Sequence, residues 1–212
     1  MRTGILRIQR SDSNSLKPQS PMLYSFYHFD KLHILNKTEE AIQEVKRSCI
    51  SVREDAYFEK GKPYTTFDLI QQLEEALKEA RKKIFTLKII LRWKYGKAGH
   101  ESLSYEQMEE SCRQILTDET QLRYSKQAEK HKLKSRKMSK DQHLLRFLSQ
   151  AEHYLNEIRF YWEDDQLDHY QIPHPEIGML TAREWMYYTI IFCWIQLHRI
   201  RKNKEETRIG SN

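Results

Sequence analysis

The chain has 212 residues, with 36 Lys and Arg against 30 Asp and Glu for a net charge of +6; charged residues make up 31% of it and apolar residues 39%. That length suits one domain with its own core. The composition excludes a collagen-like chain and a disulfide scaffold, and 12 Tyr, 8 Phe and 4 Trp argue against wholesale disorder. The mild positive excess admits nucleic acid or an anionic membrane as a partner without requiring either.

Residues 1–21 carry Arg2, Arg7, Arg10 and Lys17 against Asp12, several serines and no sustained apolar stretch. The expectation is a disordered leader, or a stretch ahead of a real start at Met22; an organelle transit peptide is the weaker alternative. From 24 to about 53, Leu32, Leu35, Ile42, Val45 and Ile50 fit a long amphipathic helix. The break around Pro63 is followed by Thr65 and Asp68, a capping-box pair, and then by Leu69, Leu73, Ala76, Ala80, Ile84 and Leu87 at steps of three or four, with Lys and Glu on the other side. This predicts a second helix, ended by Trp93 and Tyr95 packed at its terminus, with stacking on nucleic-acid bases beside Arg92 and Lys94 as the weaker alternative. Residues 64 to 172 contain no proline, so the whole window reads as helix broken at Gly96 and Gly99.

Ser104 and Gln107 open a thinner helix on which Tyr105, Met108, Cys112, Ile115 and Leu116 share one side, and the sequence beyond Thr117 turns polar. Ser139 and Gln142 open another, with Leu144, Leu148, Ala151, Leu155, Ile158 and Trp162 in a bundle seam. Thr181 and Glu184 start the last, apolar almost all round, running to about Lys202 and followed by a disordered tail over 205–212. No strand alternation is visible. The fold class is therefore all-α: a helical bundle over 22–204 with one long crossover, a peripheral helix, and a basic insert or connection over 100–138. Cys49, Cys112 and Cys193 lie far apart and read as reduced thiols, which suits a cytoplasmic location. The apolar run from 185 to 195 is about half the roughly 20 residues a bilayer requires.

The stretch His174-Pro175-Glu176-Ile177-Gly178-Met179-Leu180-Thr181-Ala182-Arg183-Glu184-Trp185-Met186-Tyr187-Tyr188 resembles the last-helix signature of the DinB-like (DinB/YfiT) family: a His-Pro pair, a Gly, Leu-Thr, then Glu-Trp leading an apolar helix. Residues 65–73 are similar to the start of that family's second helix. With the helix order the resemblance spans roughly 24 to 202, apart from 100 to 138. It implies a four-helix bundle and, in typical members, zinc or nickel held by three histidines, one on the second helix and two on the last, serving thiol transfer or hydrolysis. On this chain the ligand positions fall on Gln72, Phe192 and Gln196. None is histidine; Phe has no donor, and a neutral Gln oxygen is a poor ligand for zinc or nickel. His198 lies two residues past Gln196, about 200° round the helix. The expectation is a bundle that keeps the frame without the metal site and needs no cofactor.

Three further groups have chemically competent residues. His153 and Glu157, four apart on one helix, could share a metal, the alternative being a surface pair. Asp164, Asp165, Asp168, His169 and His174 gather before the last helix and suit metal or acid–base work. Lys126, Lys130, Lys132, Lys134, Arg136, Lys137 and Lys140 place seven positive charges in fifteen residues against Glu129 alone, the best nucleic-acid candidate, though without interleaved aromatics. Three functions follow: a small-molecule-binding or interaction protein, pairing with a second copy through a bundle face; a metal-dependent transferase or hydrolase using His153, Glu157, His169 or His174; or a nonspecific nucleic-acid binder.

Overall fold

The computed structural model of the chain describes residues 28–58, 64–115 and 138–209. In chain order these form α1 (Lys31–Ile50), the one-turn α2 (Glu54–Tyr57), α3 (Thr66–Ile84), α4 (Lys88–Tyr95), α5 (Tyr105–Ile115), α6 (Lys140–Tyr161), a short 3-10 turn, the strands β1 (Gln171–His174) and β2 (Gly178–Thr181), and α7 (Ala182–Ile209). The fold is all-α with one small hairpin. Among the described residues no helix is long and apolar enough to cross a membrane.

Each capping pair expected from the sequence is formed. Thr65 Oγ1 accepts the Asp68 N–H at 3.0 Å while Asp68 Oδ2 accepts the Thr65 N–H at 3.1 Å. Ser104 and Gln107, Ser139 and Gln142, and Thr181 and Glu184 repeat the reciprocal pattern. Each pair satisfies amide groups that the first helical turn leaves without partners. α1 is shorter than its periodicity suggested, beginning behind an Asp30 cap on the His33 N–H.

α1 packs against α6 and α7, and α3 packs against the same two helices, which places α1 and α3 on one diagonal of a four-helix bundle. Long-range contacts fix the direction of each. At one end, Lys31 Nζ reaches the Trp162 carbonyl at 2.9 Å and the Tyr161 hydroxyl donates to the Thr86 carbonyl at 2.8 Å. At the other, Lys140 Nζ reaches the Val52 carbonyl at 2.6 Å and Asn203 Nδ2 the Tyr64 carbonyl at 2.9 Å. So α1 and α7 run one way and α3 and α6 the other, and the connection from α3 to α6 must recross the bundle's length, as the long crossover required. α5 lies in that connection, packed on the outside of α7.

Four expectations are corrected. The second helix does not continue through Leu87: the Thr86 carbonyl bonds the Tyr161 hydroxyl, the chain turns, and α4 begins afresh, leaving Leu87 61% exposed. Trp93 is not packed at a helix end but 86% exposed. A hairpin is present, pairing Gln171 with Thr181 and His174 with Gly178, whose φ of 101° suits glycine at the turn. Two four-residue strands, one containing Pro173, are too short to register as alternation. Finally, α7 stays helical to Ile209, past the expected start of the tail. The leader at 1–21 and residues 116–137, with Leu116, Lys126, Lys130, Lys132, Lys134, Arg136 and Lys137, lie outside the described residues.

Candidate functional site

Gln72 stands midway along α3, and Phe192 and Gln196 stand one turn apart on α7; all three are buried. Because α3 and α7 are packed neighbours, the two amides meet: Gln196 Nε2 donates to Gln72 Oε1 at 3.2 Å in the interior. Phe192 stacks on Tyr188 with ring centroids 5.9 Å apart. A divalent ion at these positions would need several donor atoms and negative charge in compensation. Phe192 supplies neither, and the Gln72 oxygen already accepts from Gln196, so these residues do not fit a metal.

The segment that carries the resemblance lies beside this pair and closes the end of the bundle. Nδ1 of buried His174 accepts the N–H groups of Glu176 and Ile177, both at 3.3 Å, and its ring packs on Trp185 and Tyr188. The Trp185 indole donates to the Ile172 carbonyl at 3.1 Å. Glu184 accepts the Thr181 N–H and, from the segment ahead of α5, the Leu103 N–H, each at 2.8 Å. Arg183 is clamped to Asp168 by two bonds of 2.8 and 2.9 Å and also reaches the Phe29 carbonyl. Burial pushes the Asp168 carboxyl up, but Arg183 and the Ser102 hydroxyl outweigh it and hold the group below the usual carboxylate range.

This geometry separates the residues expected to cluster before the last helix. Asp168 is engaged by Arg183, Asp164 accepts the Lys31 N–H at 2.7 Å, Asp165 and His169 are exposed, and His174 is in the core. Glu157 does not pair with His153: it takes Arg81 through two bonds of 3.0 and 2.6 Å, and His153 is exposed. Among the described residues no three His, Cys, Asp or Glu side chains are placed to hold a metal ion together. Lys140, the described end of the basic run, is spent on the carbonyls of Ile50 and Val52. The three cysteines are buried and unpaired with one another, and burial pushes each thiol up to about 12, which leaves them unreactive at neutral pH.

A second polar cluster escaped the sequence reading. Between α2, α3 and α6 the Tyr57 hydroxyl meets His143 Nδ1 at 2.8 Å, His143 Nε2 faces Glu74 Oε1 at 3.5 Å, and Arg146 grips both Glu74 oxygens at 3.0 and 2.7 Å. Tyr57, Glu74 and His143 are fully buried. Burial raises the Tyr57 phenol far above its ordinary range, so the hydroxyl is the donor and the imidazole proton sits on Nε2, toward Glu74. Burial first, and then the Arg146 charge, lower His143 from 6.5 to about 3, so the ring is neutral. Burial also raises Glu74, against the pull of Arg146. The signal was present: Glu74 falls four residues after Ile70 and three before Leu77, a charge on the buried stripe.

Between α5 and α7 runs an open groove of about 640 Å³, with Tyr105, Ile191, Trp194 and Ile195 forming apolar walls and Glu109, Arg113, His198 and Arg199 the polar margin, where Arg113 pairs with Glu109 at 2.8 Å. Its volume is that of a small-molecule site. Compared with models of known protein families, with curated proteins and with solved structures, the chain finds no match.

Proposed function

We propose that the chain is a DinB-like bundle that acts by binding rather than by metal chemistry, its ligand positions having become part of the core. The observation that carries this reading is the Gln72–Gln196 amide bond: the positions matched to the family's second and last helices come within hydrogen-bonding distance across the bundle, yet present one neutral amide donating to another.

A metal titration tests it. The chain is expected to take up no stoichiometric zinc or nickel, whereas Gln72→His/Phe192→His/Gln196→His is expected to bind one ion per chain, seen by cobalt absorption. Residues four apart on a helix differ by about 40° in azimuth, so the α7 pair alone should retain weaker binding. A folded triple variant that binds nothing sinks the alignment. Stoichiometric metal in the parent, lost on changing His153 or His169, would establish the enzymatic alternative.

The groove between α5 and α7 is the place this reading gives to a ligand, an organic anion with an apolar body. Its lining supports that class: indole and aliphatic walls, with Arg113, His198 and Arg199 outnumbering the single carboxylate, Glu109, at the rim. Titration with naphthoate is expected to change the fluorescence of half-buried Trp194, and Arg113→Glu to abolish the change. A response that survives both Arg113→Glu and Trp194→Phe moves the ligand elsewhere.

A further inference from the structure

Nine large hydrophobic side chains stand out as exposed among the described residues. Ile50 and Leu145 lie at the end of the bundle where α6 begins; the other seven belong to the hairpin or to the end that carries it. Four are concentrated on and just before α4: Leu87 at 61%, Ile89 at 75%, Ile90 at 41% and Trp93 at 86%. Single exposed apolar residues are ordinary, but four within seven consecutive positions on one short helix are not. α4 is anchored from below by Leu91, which is 1% exposed, and by Lys88, which bonds Gln166 and sits over the Tyr161 and Trp162 rings. The helix is thus held in place with its apolar outer side turned to solvent. Phe160, 79% exposed, and Leu32, 65%, stand at the same end on α6 and α1.

Along the chain, the charge of this helix and its flanks has one sign. Between Glu79 and Glu101 the sequence contains seven Lys and Arg and no Asp or Glu. Of these, Lys82, Arg92, Lys94 and Lys97 are exposed. The connection after α6, which Lys88 reaches through Gln166, carries exposed Glu163, Asp164 and Asp165; Glu163 faces Lys31 at 3.7 Å, Asp164 accepts the Lys31 N–H, and Asp168 beyond them is held by Arg183.

We propose that α4 and its basic flanks are a docking surface for an anionic lipid layer, with Ile89, Ile90 and Trp93 entering the boundary of the headgroups and Arg92, Lys94 and Lys97 lying among the phosphates. Interfacial helices combine these features: an indole and aliphatic side chains on one side and Lys and Arg around them. A second copy of this chain fits less well, because a symmetric contact would set one basic helix against another, and α4 itself carries no carboxylate. Nucleic acid would use the charge but leave the isoleucines in water.

The test is cosedimentation of the full chain with vesicles of equimolar phosphatidylcholine and phosphatidylglycerol, and with phosphatidylcholine alone. Binding is expected on the anionic vesicles, falling as salt is raised, with a blue shift of Trp93 emission. Arg92→Gln/Lys94→Gln should weaken the partition roughly 30-fold, at about one kcal/mol per basic residue near the surface. Ile89→Ser/Trp93→Ser should weaken it about tenfold or more through lost apolar burial. All four side chains are exposed, so these variants keep the fold, which circular dichroism verifies. No binding at low salt, equal binding to both vesicle types, or binding unchanged in both variants overturns the proposal. So does a concentration-dependent dimer, or an RNA or DNA complex, that Ile89→Ser/Trp93→Ser abolishes in the absence of vesicle binding.

Discussion

Glu184→Ala is expected to lower the unfolding free energy by about 4 kcal/mol, since each hydrogen bond to a buried charged acceptor contributes roughly 1.5–3 kcal/mol and its loss strands the donor. The carboxylate is fully buried and serves two amides from different parts of the chain, Thr181 at the start of α7 and Leu103 ahead of α5. Alanine leaves Thr181 N–H without its capping partner and frees the segment leading into α5 from α7. Glu184→Gln keeps one acceptor oxygen and should lose about half as much. Urea denaturation measures the total, and hydrogen exchange localises it, because the Leu103 amide should lose protection before the bundle does. A loss below about 1 kcal/mol with Leu103 still protected would show that the contact carries little of the fold.

Acidification should destabilise the protein through His143, and the sign follows from the direction of its shift. The folded ring is held at about 3 against 6.5 for an ordinary histidine, so below 6.5 the unfolded chain takes up a proton that the folded one refuses. The stability is present above 6.5 and is lost as pH falls toward 3; between pH 7 and pH 5 the loss from this group is about 2 kcal/mol. Glu74 works the other way, since a carboxyl raised in the fold favours the folded state at low pH and loses that contribution as pH rises. His143→Gln separates the two. Its oxygen can still accept from Tyr57, but it has no proton to gain, so its stability should fall less than the parent's between pH 7 and pH 5. Parallel curves for parent and variant would remove His143 as the cause. Basicity is suppressed here by packing as much as by charge: the ring lies 4.4 Å from Phe67 and 6.0 Å from Tyr57.

How far the sequence reached differs from element to element. The start of α3, the start of α6 and the start of α7 were legible because a capping box is local, written in residues three apart. The seams of α3 and α6 were legible because helical period is local too. Leu87 and Trp93 were misassigned because nothing local marks the end of α3; that is set by a hydroxyl on α6. His153 and Glu157 looked like a pair on their own helix, and Arg81 from α3 takes the carboxylate instead. The Tyr57–His143–Glu74 chain joins residues 86 positions apart at its first link, a distance over which sequence spacing carries no geometric information.

The segment from 174 to 188 shows the division most clearly. As sequence it named a resemblance, and its Thr181–Glu184 cap could be foreseen. That Glu184 also holds Leu103, that Trp185 bonds Ile172 and that His174 is a packed core residue depended on a hairpin and a crossover folding back on α7. The sequence by itself determined the long helices, the capping pairs that open α3, α5, α6 and α7, the apolar seams of α3 and α6, and the absence of histidine at positions 72, 192 and 196. Tertiary structure decided what those positions became: with α3 and α7 packed antiparallel, the Gln196 amide donates to the Gln72 oxygen, a buried bond that only a partner from elsewhere in the chain can supply.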